Sequence, residues 1–130
     1  MAVTHSTAAR NAATDAVTAL IGVSGQLVFR ISPSTVTAPG TPVATLPLSA
    51  TAFGASSTGT ATANAITSDT SAAGNASPVA FATLQTSGGT VVIHCAVAAS
   101  GSDINMTNGL TIAPGDTVAC SSLTYTALSA

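Results

Sequence analysis

The sequence predicts a mainly β protein: an antiparallel β-sandwich or jelly-roll-like domain carrying one N-terminal α-helix. Three observations lead there. Apolar runs of strand length (Gln26 to Ile31, Val79 to Gln85, Val91 to Ala98) are separated by segments rich in glycine, proline and serine. Helical spacing of apolar residues is confined to residues 6–21. No internal repeat of fixed period interrupts the pattern, and 130 residues is the size of one domain.

The elements follow in order. In residues 6–21, Ala9, Ala13, Ala16, Val17 and Leu20 recur on one side of a helix, with Arg10, Asn11, Thr14, Asp15 and Thr18 on the other. Ser6 or Thr4 can cap its start, and Gly22 can supply a left-handed exit. The apolar stripe is mostly alanine, so such a helix is marginal alone and needs a surface to pack against. Residues 1–24 are accordingly read as an N-terminal arm and amphipathic helix, and residues 25–130 as the sandwich.

Gln26 to Ile31 reads as the first strand. Pro33 to Pro42 holds three prolines and a glycine and reads as a loop. Pro42 to Leu48 is a strand that Pro47 either ends or confines to an edge. Residues 51–77 are rich in Ala, Gly, Ser and Thr, with Phe53 and Ile66 as their few large anchors. They read as long loops with one irregular strand, low-complexity disorder being the competing reading. Residues 79–98 form a hairpin around Ser87-Gly88-Gly89. Ile104, Met106, Leu110 and Ile112 keep one parity, with Asn108-Gly109 as a bulge or turn. Ala113-Pro114-Gly115-Asp116 fits a type II turn, and Thr117 to Thr126 reads as the last strand.

Charge is the most unusual property. Lys and Glu are absent, and charged residues make up 5% of the chain, against about 25% in ordinary domains. The full set is Arg10, Arg30, Asp15, Asp69, Asp103 and Asp116, apart from the helix pair placed in or beside loops and turns. A net charge of −2 gives no steering field, and two arginines cannot neutralise enough phosphates for tight nucleic-acid binding. No apolar run reaches membrane-spanning length. The first twenty residues lack the basic start of a signal peptide, so the two cysteines are expected to begin reduced.

The same scarcity excludes most chemistry. His5, His94, Cys95 and Cys120 lack zinc-site spacing, and His94 and Cys95 point to opposite faces of a strand, so no metal or cofactor is expected. Cys95 and Cys120 are read as buried free thiols, with a disulfide as the alternative and a catalytic thiol last. No Gly-x-Ser-x-Gly elbow occurs, and a phosphate loop is impossible without Lys. Asp103 and Asp116 fall where aspartate bonds its local backbone in turns. The expectation is a protein that is not an enzyme.

Three segments carry a family resemblance. Met1 to Ala12 (MAVTHSTAARNA) resembles the start of a family of small structural proteins from the virions of tailed bacteriophages. Ala52 to Ala55 with Gly59 to Ser71, and Gly115 to Val118 through Ser122 to Thr126, are similar to the same family. Residues 32–47 are longer than the family pattern. The resemblance implies a virion part made in the host bacterial cytoplasm. Small size and β-rich, charge-poor composition then suggest a capsid decoration (cement) protein on the outer head surface. Its expected partners are the major capsid protein and copies of itself, a trimer being favoured, with neither nucleic acid nor membrane. His5, Arg10, Asp15 and Leu20 are the candidate partner contacts. A tail or head-fibre component is the first alternative. A cell-surface or carbohydrate-binding β-domain is the second, disfavoured by the absence of Trp and a single Tyr.

Overall fold

The computed structural model describes residues 3–130. The chain is mainly β, 31% strand against 10% helix, with one N-terminal helix and a sandwich-like arrangement of two sheets. Helix α1 spans Thr7–Ala19, followed by β1 (Gln26–Ile31), β2 (Pro42–Pro47), β3 (Thr60–Thr62), β4 (Val79–Gln85), β5 (Val91–Ala98), β6 (Ile104–Asn105) and β7 (Thr124–Thr126). The larger sheet has the order β2-β1-β4-β5-β6, and the smaller pairs β3 with β7. All pairings are antiparallel except β5 with β6, which involves only two residue pairs.

Alternation along the strands builds two rows of side chains on the core face. Leu46, Leu27, Leu84 and Ile93 are cross-strand neighbours across four strands. Beside them, Phe29 lies between Ala44 and Ala82, with Cys95 beyond. A large ring flanked by alanines fills the layer without overpacking it, as dense cores require. Ala61, Val118 and Leu123 join these residues in one buried cluster, so β3 and the segment before β7 close the core from the other side. Ile21 is fully buried just beyond the helix. A Cβ on Gly25 would collide with the Ile21 side chain, so only glycine lets β1 begin flush against it.

The opposite face of the sheet holds a buried polar cluster of Arg30, Thr83 and Gln85 beside Val28. Arg30 donates to Thr83 Oγ1 (3.0 Å), Gln85 Oε1 (2.8 Å) and the Gly40 carbonyl (2.7 Å). Thr83 also donates to Gln85 Oε1 (3.0 Å). The proline-rich segment 32–41 lies over this face as a strap. It is held by the Gly40 contact and by Ser34 Oγ, 3.0 Å from His94 Nε2, while the His94 ring stacks at a tilt on Phe81, 5.0 Å between centroids.

Strands β1, β4 and β5 occupy the predicted spans, and the Ala113–Asp116 turn closes as type II, with an Asp116 N–H to Ala113 carbonyl bond of 3.1 Å and Gly115 at φ 89°. Other expectations need correction. Residues 117–126 do not form one strand. Val118 makes a two-way bridge with Asp69, Cys120 donates to the carbonyl of Ser122, and only Thr124–Thr126 pairs with β3. The parity of Ile104, Met106, Leu110 and Ile112 marks inward side chains, but the ladder stops at Asn105. There the backbone serves other segments: Leu110 and Ile112 carbonyls accept from Val79 and Asn75. Residues 51–77 are ordered loops around β3. Their outer run lies along β2, where Gly74 N–H donates to the Val43 carbonyl (3.0 Å) and Asp69 Oδ2 accepts from Thr45 N–H (2.9 Å). That edge of the sheet is therefore covered. Arg30 lies near a strand end as read, the penultimate residue of β1, but its side chain is buried rather than left at the surface beside a loop.

Candidate contact surface

The helix begins at Ser6, whose hydroxyl accepts from Ala9 N–H (3.2 Å), and ends before Gly22 at φ 71°. It docks by the side that the sequence pattern marks as solvent-facing. Thr14 and Thr18 are buried and Arg10, Asn11, Ala13 and Val17 half-buried, while Ala9, Ala12, Asp15, Ala16 and Leu20 are exposed. The inversion has a clear cause. The loop at 56–59 and the tail at 127–128 present backbone groups that strand pairing leaves unmet, and burial without partners is costly. Thr14 Oγ1 donates to the Gly59 carbonyl (2.6 Å) and accepts from Ala127 N–H (3.1 Å). Asn11 Oδ1 accepts from Gly59 N–H (2.8 Å), and Ser56 Oγ donates to the Asn11 carbonyl (3.1 Å). Replacing Thr14 with Val keeps the shape and removes both bonds. A loss of about 1–3 kcal/mol is expected, read as a lower denaturation midpoint at unchanged slope.

The four residues singled out as partner contacts divide accordingly. Arg10 donates to the carbonyls of Leu128 (3.1 Å) and Thr58 (2.8 Å). Asp15 Oδ1 accepts from Ser56 N–H (2.9 Å). His5 Nδ1 lies 2.6 Å from the Ala130 carbonyl oxygen. These three tie the helix to its own domain. Leu20 is 66% exposed, and Val23, just beyond the helix, is 70% exposed. Sequence reasoning missed Val23 and Val3 because both lie outside the span read as helical, Val23 past the Gly22 exit and Val3 before the Ser6 cap.

The rest of the charge is used in the same manner. Asp69 also accepts from Ser71 N–H, Asp103 from Ala96 N–H and Asp116 from Ala113 N–H, at 2.9–3.0 Å. Every aspartate thus takes a backbone N–H, both arginines donate to carbonyls, and none of these contacts joins an arginine to an aspartate.

Two depressions mark the surface. One of about 390 Å³ flanks the exposed end of the helix, between Ala19, Gly22 and Val23 on one side and Thr51 and Phe53 on the other. A cleft of about 750 Å³ lies between residues 103–112 and 116–124, with Phe29, Met106, Ile112, Val118 and Leu123 in its walls. Cys120 lines that cleft. Both thiols are free. Burial, with Asp103 second, pushes Cys95 up to about 11, and burial also raises Cys120. Neither thiol is primed as a nucleophile. Iodoacetamide at neutral pH should therefore leave Cys95 unmodified in the native protein and label it on unfolding, as counted by mass spectrometry. Among the described residues, no group of three or more His, Cys, Asp or Glu side chains is placed to hold a metal ion, and no helix is long and apolar enough to cross a membrane.

Compared with protein-family models, curated proteins and solved structures, the chain matches none.

Proposed function

We propose that this chain is a structural protein of a bacteriophage virion, a capsid decoration (cement) protein that lies on the outer head surface and stabilises the shell without catalysis. One observation carries the reading. Of the apolar stripe of α1, Ala9, Ala16 and Leu20, continued by Val23, are exposed and face away from the domain's own core, with Ala13 and Val17 half-buried at its edge. The charged groups beside it, Arg10 and Asp15, are already bonded internally. A partner covering this stripe buries apolar atoms and desolvates few charges, the condition under which a modest contact is favourable. Repeated around a closed shell, such contacts add by multivalency and clamp neighbouring capsid subunits against internal pressure. The segments of resemblance at residues 1–12, 52–71 and 115–126 support the same assignment. Self-association, with a trimer favoured, belongs to this reading.

Particles purified with and without the protein test it. Particles lacking it should release their DNA at lower temperature; identical release temperatures would count against the proposal. Leu20→Ser should leave the isolated domain's unfolding midpoint unchanged and reduce the amount retained on particles after washing. Copy number separates a head location, with many copies per particle, from a tail or fibre location, with the few copies of a ring.

A further inference from the structure

We propose that Asn108 is a site of spontaneous covalent modification, deamidation through a cyclic imide, which places a new negative charge on the wall of the larger cleft. In this reaction the backbone nitrogen of the following residue attacks the side-chain carboxamide carbon and gives up its proton. The new carbon–nitrogen bond closes a five-membered ring as ammonia leaves. Water then adds to one of the two ring carbonyls and opens the ring. The products are aspartate, or isoaspartate with the chain rerouted through the side-chain carbon. Water is the only co-reactant, and nothing is oxidised or reduced.

The step requires an unobstructed nitrogen, a free carboxamide and a backbone able to fold onto its own side chain. The five asparagines differ in all three respects. Asn11, Asn75 and Asn105 have their side-chain oxygens bonded to the N–H groups of Gly59, Ser77 and Ser102, and Asn64 donates to the Thr51 carbonyl. Each of these four is followed by Ala or Met. Asn108 is followed by glycine, the residue that hinders the attacking nitrogen least and leaves the backbone freest. Asn108 and Gly109 are exposed, Gly109 sits at φ 107°, and a Cβ placed on Gly109 would meet nothing within 4 Å. Among the described residues the Asn108 carboxamide has no hydrogen-bond partner, and the Gly109 N–H makes no bond beyond the weak closure of its own turn at 107–108. The turn is anchored on both sides by Met106 and Leu110, which pack on the core, so its chemistry can proceed while the fold stays intact.

The location gives the change its weight. Asn108 and Gly109 line the 750 Å³ cleft together with Asp103 and Asp116. A chain with four acidic residues gains a fifth, in a cleft that two of them already line. This inference stands independently of the virion assignment.

The test is to incubate the purified, folded chain in warm, mildly alkaline buffer, map peptides by mass spectrometry, and label isoaspartate with a protein isoaspartyl methyltransferase. The Asn108 peptide should lose its amide, appear as both aspartyl and isoaspartyl forms and take the label, while the Asn11, Asn64, Asn75 and Asn105 peptides keep theirs. Asn108→Gln, which cannot close the five-membered ring, should abolish labelling at an unchanged circular dichroism spectrum. Retention of the Asn108 amide as complete as at the other four sites, or conversion spread evenly over all five, would overturn the proposal.

Discussion

Arg30→Ala should destabilise the protein by about 3 kcal/mol, on the scale of removing one partner from a buried charged network. Arg30 is 6% exposed and has no carboxylate beside it, so its guanidinium is held entirely by neutral oxygens. Burial pushes its pKa down, and three strong donors aimed at Thr83, Gln85 and Gly40 offset the desolvation of a group that stays charged at any ordinary pH. Truncation to alanine leaves Gln85 Oε1 with only the Thr83 hydroxyl and frees one end of the 32–41 strap. Two readings should therefore move together: a lower denaturant midpoint, and faster proteolysis within residues 32–41. Arg30→Lys cannot supply the fork and should recover only part of the loss. An alanine variant as stable as the parent would show that the network is not load-sharing with the core.

Leu27→Ala should cost about 3–4 kcal/mol, within the range for a fully buried leucine in a core that cannot collapse around the gap. Leu27 has no exposed surface and touches the row from both sides, through Leu46 on β2 and Leu84 on β4. The large neighbours Leu46 and Leu84 are themselves held in the row, and positions in the second row are already alanine, at Ala44 and Ala82, so the core fills the gap only in part. The chain has only three phenylalanines and no tryptophan, which makes each large aliphatic residue a larger share of the total stability. Thermal unfolding of the variant at equal concentration checks the figure; a shift within error of zero would mean that the leucine row is not the centre of the core.

The strands that the sequence reveals best are those with their own hydrophobic alternation and turns. β1, β4 and β5 have spans set by apolar runs bounded by Gly25, Pro78 and Ser87-Gly88-Gly89, and they appear as read. The strands around residues 104–126 fail as readings because a period of two records which side chains point inward and not what the backbone bonds to. Ile112 and Val118 are buried as their parity indicates, yet Ile112 bonds only once across the gap, to Asn75, and Val118 makes an isolated two-bond bridge with Asp69. The helix shows the same limit in reverse. Its cap and its exit were legible at Ser6 and Gly22, but its docking face was not. The partners of Thr14, Gly59 and Ala127, are distant backbone groups with no signature in a helical wheel. Of the candidate contacts, Leu20 could be identified from spacing alone. His5, Arg10 and Asp15 are polar residues whose bonding partners lie about 40 or more positions away, so their bonds within the domain appear only in three dimensions.

The pairing of every ionised side chain with a backbone amide or carbonyl has a consequence for the medium the protein can tolerate. Added salt weakens attraction between charges separated by a Debye length, about 8 Å at physiological ionic strength, and hardly touches a carboxylate in contact with an N–H at 2.9 Å. With loops fastened in that way, the fold is largely indifferent to whether the surrounding fluid is dilute or briny, and a contact made through the outward Ala, Leu and Val of the helix would need no ion pair that salt could weaken.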